Sequence, residues 1–318
     1  MRFRSVLAAA VLAALVQPSA AQQYPSQMVR IVVPFSAGSN TDAQARVIAD
    51  KLSQMWKQQV IVENRPGIAG TASVAKSAAD GYTLMLTSSG HPVANVISAA
   101  APFDPVKDFA GVTQVSAVSA ALVAPPDLPA NNLKEFIALA QKSPGKLNFA
   151  SAGTASTSYL AGEIFKQAAK VNLVHVPYKG APEAMNSILR NDAQLYFASA
   201  TFSPGLITSK KIKVLAVSGS KRAPRLPDVP TAGESGLPGY VYDSWFGVMA
   251  PAGVPPAILN KVSADIASVL RLPDVAKAID NQGLVVRTQS PAEFNKLIAS
   301  EAARYGKILR DAGIGTKK

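Results

Sequence analysis

Small hydroxyl residues and glycines placed just before helical segments are the most chemically informative feature of this sequence. Residues 34–46 read PFSAGSNTDAQAR: an apolar run ends at Pro34, a loop of small residues spans Ser36 to Asn40, and a helical pattern begins near Thr41 and Asp42. Such a loop gathers free backbone N–H groups around a helix N-terminus, where the peptide dipoles favour an anion. A carboxylate would sit well there. By spacing alone, an anion site and an ordinary turn at Gly38 with an Asn40 or Thr41 helix cap are equally good readings. Residues 151–165, SAGTASTSYLAGEIF, repeat the pattern after the strand-like KLNFA, with Gly153, Thr154, Ser156, Thr157 and Ser158 supplying hydroxyls and N–H groups. Two such loops facing each other could hold both ends of a small dianion without a formal ion pair. A third stretch, TSSGHPVAN at 87–95, offers Ser88, Ser89, His91 and Asn95.

Catalytic readings fare worse. The sequence contains no GxSxG elbow, no HExxH, no GxxxxGK[ST] and no GxGxxG. A serine hydrolase would need His91 or His175 as base beside a strained serine. His175 alternates with Val174 and Val176 and reads as a strand residue. VENRPGIAGT at 62–71 could form a backbone nest or use Arg65 as an anion clamp, or be a turn with an exposed arginine. The basic run carrying Lys210, Lys211, Lys213, Lys221, Arg222 and Arg225 reads as a solvated face, with a membrane surface or a partner as the alternative.

Composition narrows the field. The chain has no cysteine and two histidines, which removes disulfide scaffolds, thiolate chemistry and cysteine-rich metal sites; no metal and no cofactor is expected. Hydrophobic residues make up 48% and charged residues 16%, so disorder is excluded. A formal charge of +12 allows nucleic acid, an anionic surface or an anionic ligand, but 7% aromatics and the lack of a recognition motif argue against nucleic acid.

The elements that must position these loops alternate between Val/Ile-rich runs and helical patterns, the signature of a mostly parallel sheet covered by helices. Strands are expected at 29–34, 60–63, 83–87, 147–150, 173–176, 194–197 and 213–217, and helices at 41–56, 131–142, 158–169, 182–189, 255–270 and 291–309. Two Pro-rich stretches, 122–129 and 225–242, read as crossings between domains. They divide the chain into lobe I, residues 22–123 and 245–318, and lobe II, residues 124–244, with a ligand cleft between. Residues 1–21 have the layout of a secretory signal peptide: Arg2 and Arg4, an apolar run too short to span a bilayer, Pro18 and small residues to Ala21. Its removal lowers the formal charge from +12 to +10. The mature protein is expected outside the cytoplasm, in the periplasm.

In order along the chain, VRIVVPFSAGSNTDAQAR, VIVENRPGIAGT, ADGYTLMLTSSGH, FDPVKDFAGVTQV, LNFASAGTASTSYLAGEIFK, VHVPYKGAPEAM, LPDVPTAGESGLPGY and WFGVMAPAGVPPAI resemble the periplasmic solute receptors of tripartite tricarboxylate transporters, the Bug receptors. The resemblance implies a two-lobed α/β binding protein of type II. Each lobe would be a mostly parallel sheet flanked by helices, and the pair would close on a small carboxylate and hand it to membrane permease subunits. It implies a ligand held by Phe35, Ala37, Gly38, Ser39, Asn40, Thr41 and Asp42, with Ser88, Ser89 and His91, and with Ser151, Gly153, Thr154 and Ser156. The chain departs from the pattern twice. Gly38-Ser39-Asn40 replaces a run of glycines, and Ala198 stands where many relatives carry an aspartate. Without that carboxylate an amino group lacks a counter-charge, so a dicarboxylic or aromatic acid is expected over an amino acid. A monomer is expected. A sensory receptor would use the same pocket, and a hydrolase would need His91 with Ser88 or Ser89.

Overall fold

The computed structural model describes residues 24–98, 101–153, 156–199, 204–311 and 313–315, so the expected signal segment lies outside it. The first half runs β1 (Val29–Val33), α1 (Asn40–Trp56), β2 (Val60–Asn64), α2 (Ile68–Ala75), β3 (Thr83–Ser88), a 3-10 turn (His91–Val93) leading into α3 (Ala94–Ile97), β4 (Phe109–Ala124) and α4 (Leu133–Lys142). Next come β5 (Asn148–Ser151), α5 (Thr157–Ala169), β6 (Val174–Pro177), α6 (Ala181–Leu189), β7 (Leu195–Ser199), α7 (Pro204–Thr208) and β8 (Lys213–Val217). The chain closes with β9 (Asp243–Pro251), α8 (Pro256–Leu270), α9 (Pro273–Asn281), β10 (Val285–Val286) and α10 (Pro291–Asp311).

The strands join in the order β2-β1-β3-β9-β4-β7-β5-β6, with β8 and β10 also paired to β4. β4 is the strand that both halves share. It pairs antiparallel with β9 from Phe109 to Ser119, then with β7 from Ala120 to Val123 and with β8 from Ala121 to Ala124. The change of partner falls between Ser119 and Ala120. The outer strands are parallel, as expected: β1 with β2 and β3, and β5 with β6 and β7. Each of these pairings is closed by a crossover helix, as parallel strands require. The centre departs from the mostly parallel expectation, because β4 and β9 carry the chain between the two wings and β9 runs antiparallel to both of its neighbours, β3 and β4.

Period-two alternation assigns the strand residues to opposite faces. In the first wing, Ile31, Leu84, Leu86 and Val248 pack under α1 and α8 with Ile48, Leu52 and Ile266. Their neighbours Val32, Met85 and Met249 face the other way, onto Val74, Phe294 and Ile298. In the second wing, Leu122, Phe149 and Phe197 meet Phe136, Leu160 and Phe165 on one face, while Val123, Ala150, Tyr196 and Ala198 meet Met185 and Ile188 on the other. Both faces are covered, and a fully buried side chain of this size contributes about 1.5–3 kcal/mol.

α10 belongs to both halves. Its first turns place Phe294 and Ile298 in the first wing's core, and its last turns place Tyr305 and Leu309 among the aromatics of the second. Close approach is possible because two glycines leave a notch in the sheet. A Cβ on Gly111 would stand 2.9 Å from the Phe294 ring, and one on Gly247 would stand 2.3 Å from it. The helix is also tied through Trp245, whose Nε1 donates to Glu301 Oε2 at 2.7 Å. Burial raises the Glu301 carboxyl to about 8, against the opposing effect of that hydrogen bond. Gly247→Ala should therefore lower stability by roughly 1–3 kcal/mol through overpacking. Urea unfolding should show a lower midpoint, and an unchanged midpoint would contradict this packing.

Candidate ligand-binding cleft

The loop that follows β1 is shaped by a few specific bonds. Pro34 ends the ladder, and Gly38 turns the chain at φ +80, where an L side chain would be strained. Ser39 caps α1 by accepting from the Asp42 N–H at 3.2 Å. The Asp42 carboxylate turns back on the loop, accepting from Gly38 N–H at 2.9 Å, Asn64 Nδ2 at 2.9 Å and Arg46 Nε at 3.1 Å. Burial works against the ionised carboxyl, but the bonds from Arg46, Gly38 and Asn64 outweigh it and hold its pKa below the ordinary value. Asp42 thus shapes the loop, and its charge is matched by Arg46. Thr41 is buried beside it, Ala37 and Gly38 are exposed at the rim, Ser39 is half-buried, and Asn40 is exposed at the helix start.

A second lip forms at the end of β5. Ser151 is fully buried, and its Oγ accepts from Gly153 N–H at 3.1 Å and lies 2.7 Å from His175 Nε2. Burial, reinforced by Lys166, pushes His175 down to about 4, so the imidazole is neutral. Ser156 caps α5 by accepting from Tyr159 N–H and donates to Gly153 O at 2.6 Å. Ser158 Oγ accepts from Ala152 N–H at 3.0 Å. Thr154 lies outside the described residues.

Between the lips is a cavity of about 130 Å³. Asn40, Thr157 and Ala181, the first residues of α1, α5 and α6, all line it, so three helix N-termini converge on one small space. Ala198 and Ser199 form one side, and Tyr242, Ser244 and Phe246 form the back. No lining residue carries a formal charge. Behind the wall, the fully buried Ser89 Oγ bonds Tyr242 OH at 2.9 Å and Ser244 Oγ at 3.1 Å. Burial raises the Tyr242 pKa, so the phenol keeps its proton.

Phe35, Ser88 and His91 line a separate cavity of about 330 Å³, together with Gly67, Ile68 and Thr71. His91 is buried, its Nε2 lies 3.0 Å from Pro105 O, and its ring packs edge-on to Phe109. A carbonyl partner places the proton on Nε2, and burial lowers the pKa to about 4. This nitrogen is therefore no base for Ser88 or Ser89, and the serine–histidine pairing a hydrolase would draw from His91 is not formed.

Of the residues expected at the site, Asn40 and Ala198 line the cleft. Ala37, Gly38 and Ser39 lie on its rim loop, Phe35, Ser88 and His91 border the larger cavity, and Thr41, Asp42, Ser89, Ser151, Gly153 and Ser156 support the walls. Sequence reasoning missed Ser119, Ala181, Tyr196, Ser199, Tyr242, Ser244 and Phe246 as lining groups. The one signal for Ala181 was Pro182 at a helix start, and Tyr242 sat unremarked at the end of a Pro-rich crossing. Among the described residues, no cluster of His, Asp and Glu is placed to hold a metal, and no helix is long and apolar enough to cross a membrane.

Residues 44–314 match the tripartite tricarboxylate transporter family receptor, TctC, and the chain belongs to that family. It is 33% identical over 310 residues to BugT of Bordetella pertussis, spanning 96% of this chain and 95% of BugT. Among solved structures it resembles Rpa4515 of Rhodopseudomonas palustris with adipate, at 31% identity and TM-score 0.78, covering 92% of this chain and 99% of that one. It also resembles MatC of the same organism with bound malate, at 30% identity and TM-score 0.77, covering 90% of this chain and 100% of that one. The family is one of solute-binding receptors, and the fold is the mixed α/β, two-lobed fold of type II periplasmic binding proteins.

The Asp42 clip gives a signed prediction. A carboxyl held below its ordinary value of 3.8 contributes stability that is present above that value and lost as pH falls through the folded one. Asp42→Asn should cost roughly 1.5–3 kcal/mol at neutral pH, the range for a hydrogen bond to a charged group. Thermal melts should show the gap to wild type closing below about pH 4. A gap that stays constant with pH would contradict the charged clip.

Proposed function

We propose that this chain, taken as a receptor of that family, is exported through residues 1–21 and captures a small organic acid without an amino group between two lobes, for delivery to membrane permease subunits. Three converging helix N-termini around an uncharged cavity carry this reading. Oriented N–H groups and neutral hydroxyls favour a carboxylate without needing a cation, and no acidic side chain is at hand to neutralise an ammonium group. The adipate and malate bound by two relatives, both acids without an amine, support the same ligand class. The lobe division at 22–123 with 245–318 and at 124–244 is supported by the change of β4 partner at Ser119–Ala120 and by the start of β9 at Asp243. The cleft residues divide between wall and support: Asn40 and Ala198 meet the ligand, Asp42 and Ser89 hold the groups that do.

Calorimetric titration with adipate, malate, benzoate, aspartate and glutamate tests this. An unpaired ammonium in the cleft costs about 1–3 kcal/mol, so the best amine-free acid should bind roughly ten-fold or more tighter than either amino acid. Equal or tighter binding of aspartate or glutamate would overturn the ligand class.

A further inference from the structure

The basic run singled out in the sequence is not used by the cleft. Part of it, Lys221, Arg222 and Arg225, lies along a groove of about 430 Å³ at the strand junction, which shares Val118 and Ser119 with the cleft. Alternation along β9 shows the two sides: Tyr242, Ser244 and Phe246 face the cleft, and Asp243 between them faces the groove. Residues 220–225 form one bank, 283–287 the other, and Ala117, Val118 and Ser119 of β4 the floor.

Four cationic side chains face two acidic ones here. Asp280 is taken by Arg225 Nη2 at 2.6 Å, Asp243 accepts from Ser119 Oγ at 2.8 Å, and Arg222 is held by Glu234 at 3.1 Å. Among the described residues, Lys221 and Arg287 have no ion pair and no side-chain hydrogen bond. They stand on opposite banks, with the exposed Val285 and the half-buried Val286 supplying the apolar side of the groove.

We propose that this groove is a second binding site, for a small organic anion with an apolar body and a carboxylate or phosphate head held by Lys221 and Arg287. Such an occupant joins the two banks across the junction, so it is linked to ligand binding in the cleft wherever that binding changes the spacing of the banks. The site stands independently of the cleft; only the linkage rests on the proposed function.

Phenyl phosphate is the probe, titrated calorimetrically into the full mature chain, into Asn40→Trp to obstruct the cleft, and into the double variant Lys221→Ala/Arg287→Ala. Both substituted cations are exposed, so an unchanged thermal melt is expected for the double variant. The proposal predicts saturable one-to-one binding in wild type and Asn40→Trp, and a loss of roughly ten-fold or more in the double variant. Saturating phenyl phosphate should also shift adipate affinity severalfold in wild type but not in the double variant. Absence of saturable binding, binding that survives the double substitution, or binding lost in Asn40→Trp overturns the site. Binding that leaves adipate affinity unchanged overturns the linkage.

Discussion

Backbone hydrogen bonds around Ser119, Ala120 and Ser218 form the seam on which both wings depend. β4 leaves β9 and takes up β7 and β8 at this point, and Ser218 stitches the crossing. Its N–H donates to Ala120 O at 2.8 Å, its Oγ accepts from Ala120 N–H at 2.8 Å, and its carbonyl accepts from Tyr242 N–H at 2.9 Å. There is little room for side chains here. A Cβ on Gly219 would stand 2.3 Å from Ser119 Oγ and 2.9 Å from Asp243 Oδ1. Of the residues that hold the wings together, Ser119 therefore also lines both the cleft and the basic groove, and Ala120 lines the cleft. Closure of the lobes, as proposed, would turn about this seam, with α10 spanning it from one core to the other.

Electrostatics in the cleft follow from what has been kept neutral. Asp42 sits within the first turn of α1, where an unmatched negative charge would repel an anion, but Arg46, Asn64 and the Gly38 amide absorb it. His175 and His91 are held uncharged by burial, and Tyr242 keeps its phenolic proton. What remains is a set of oriented N–H groups and hydroxyls, which attract a carboxylate in proportion to how well water is excluded. The overall positive charge adds long-range attraction, but the selection of ligand lies in these short-range donors.

Much of the architecture was legible from the sequence, and what was not has a physical cause. β1, β2 and β8 stood out because Val, Ile and Leu dominate them. β4, reading FAGVTQVSAVSAALVA, did not, since it is buried on both faces, carries Ala and Ser at the seam, and lacks the alternation that marks a half-exposed strand. The loops before α1 and α5 were visible through Gly38, Ser39, Gly153 and Ser156, whose turn and cap chemistry is local. The back wall was not. Tyr242 and Ser244 reach the cleft only because β9 returns beside β4, a long-range pairing that no local pattern encodes. His91 and Ser89 illustrate the converse, as their residue types suggested chemistry while their surroundings, Pro105 and Phe109 for one and Tyr242 for the other, make them structural.

The central claim is that one carboxylate ligand is held jointly by helix N-termini from both wings. Backbone amide chemical shifts, followed by NMR during titration with adipate, test it most directly. The account predicts that the amides of residues 40–42 and 157–159 shift together along one saturation curve. Shifts confined to one of the two helix starts, or appearing only around Lys221 and Arg287, would contradict it.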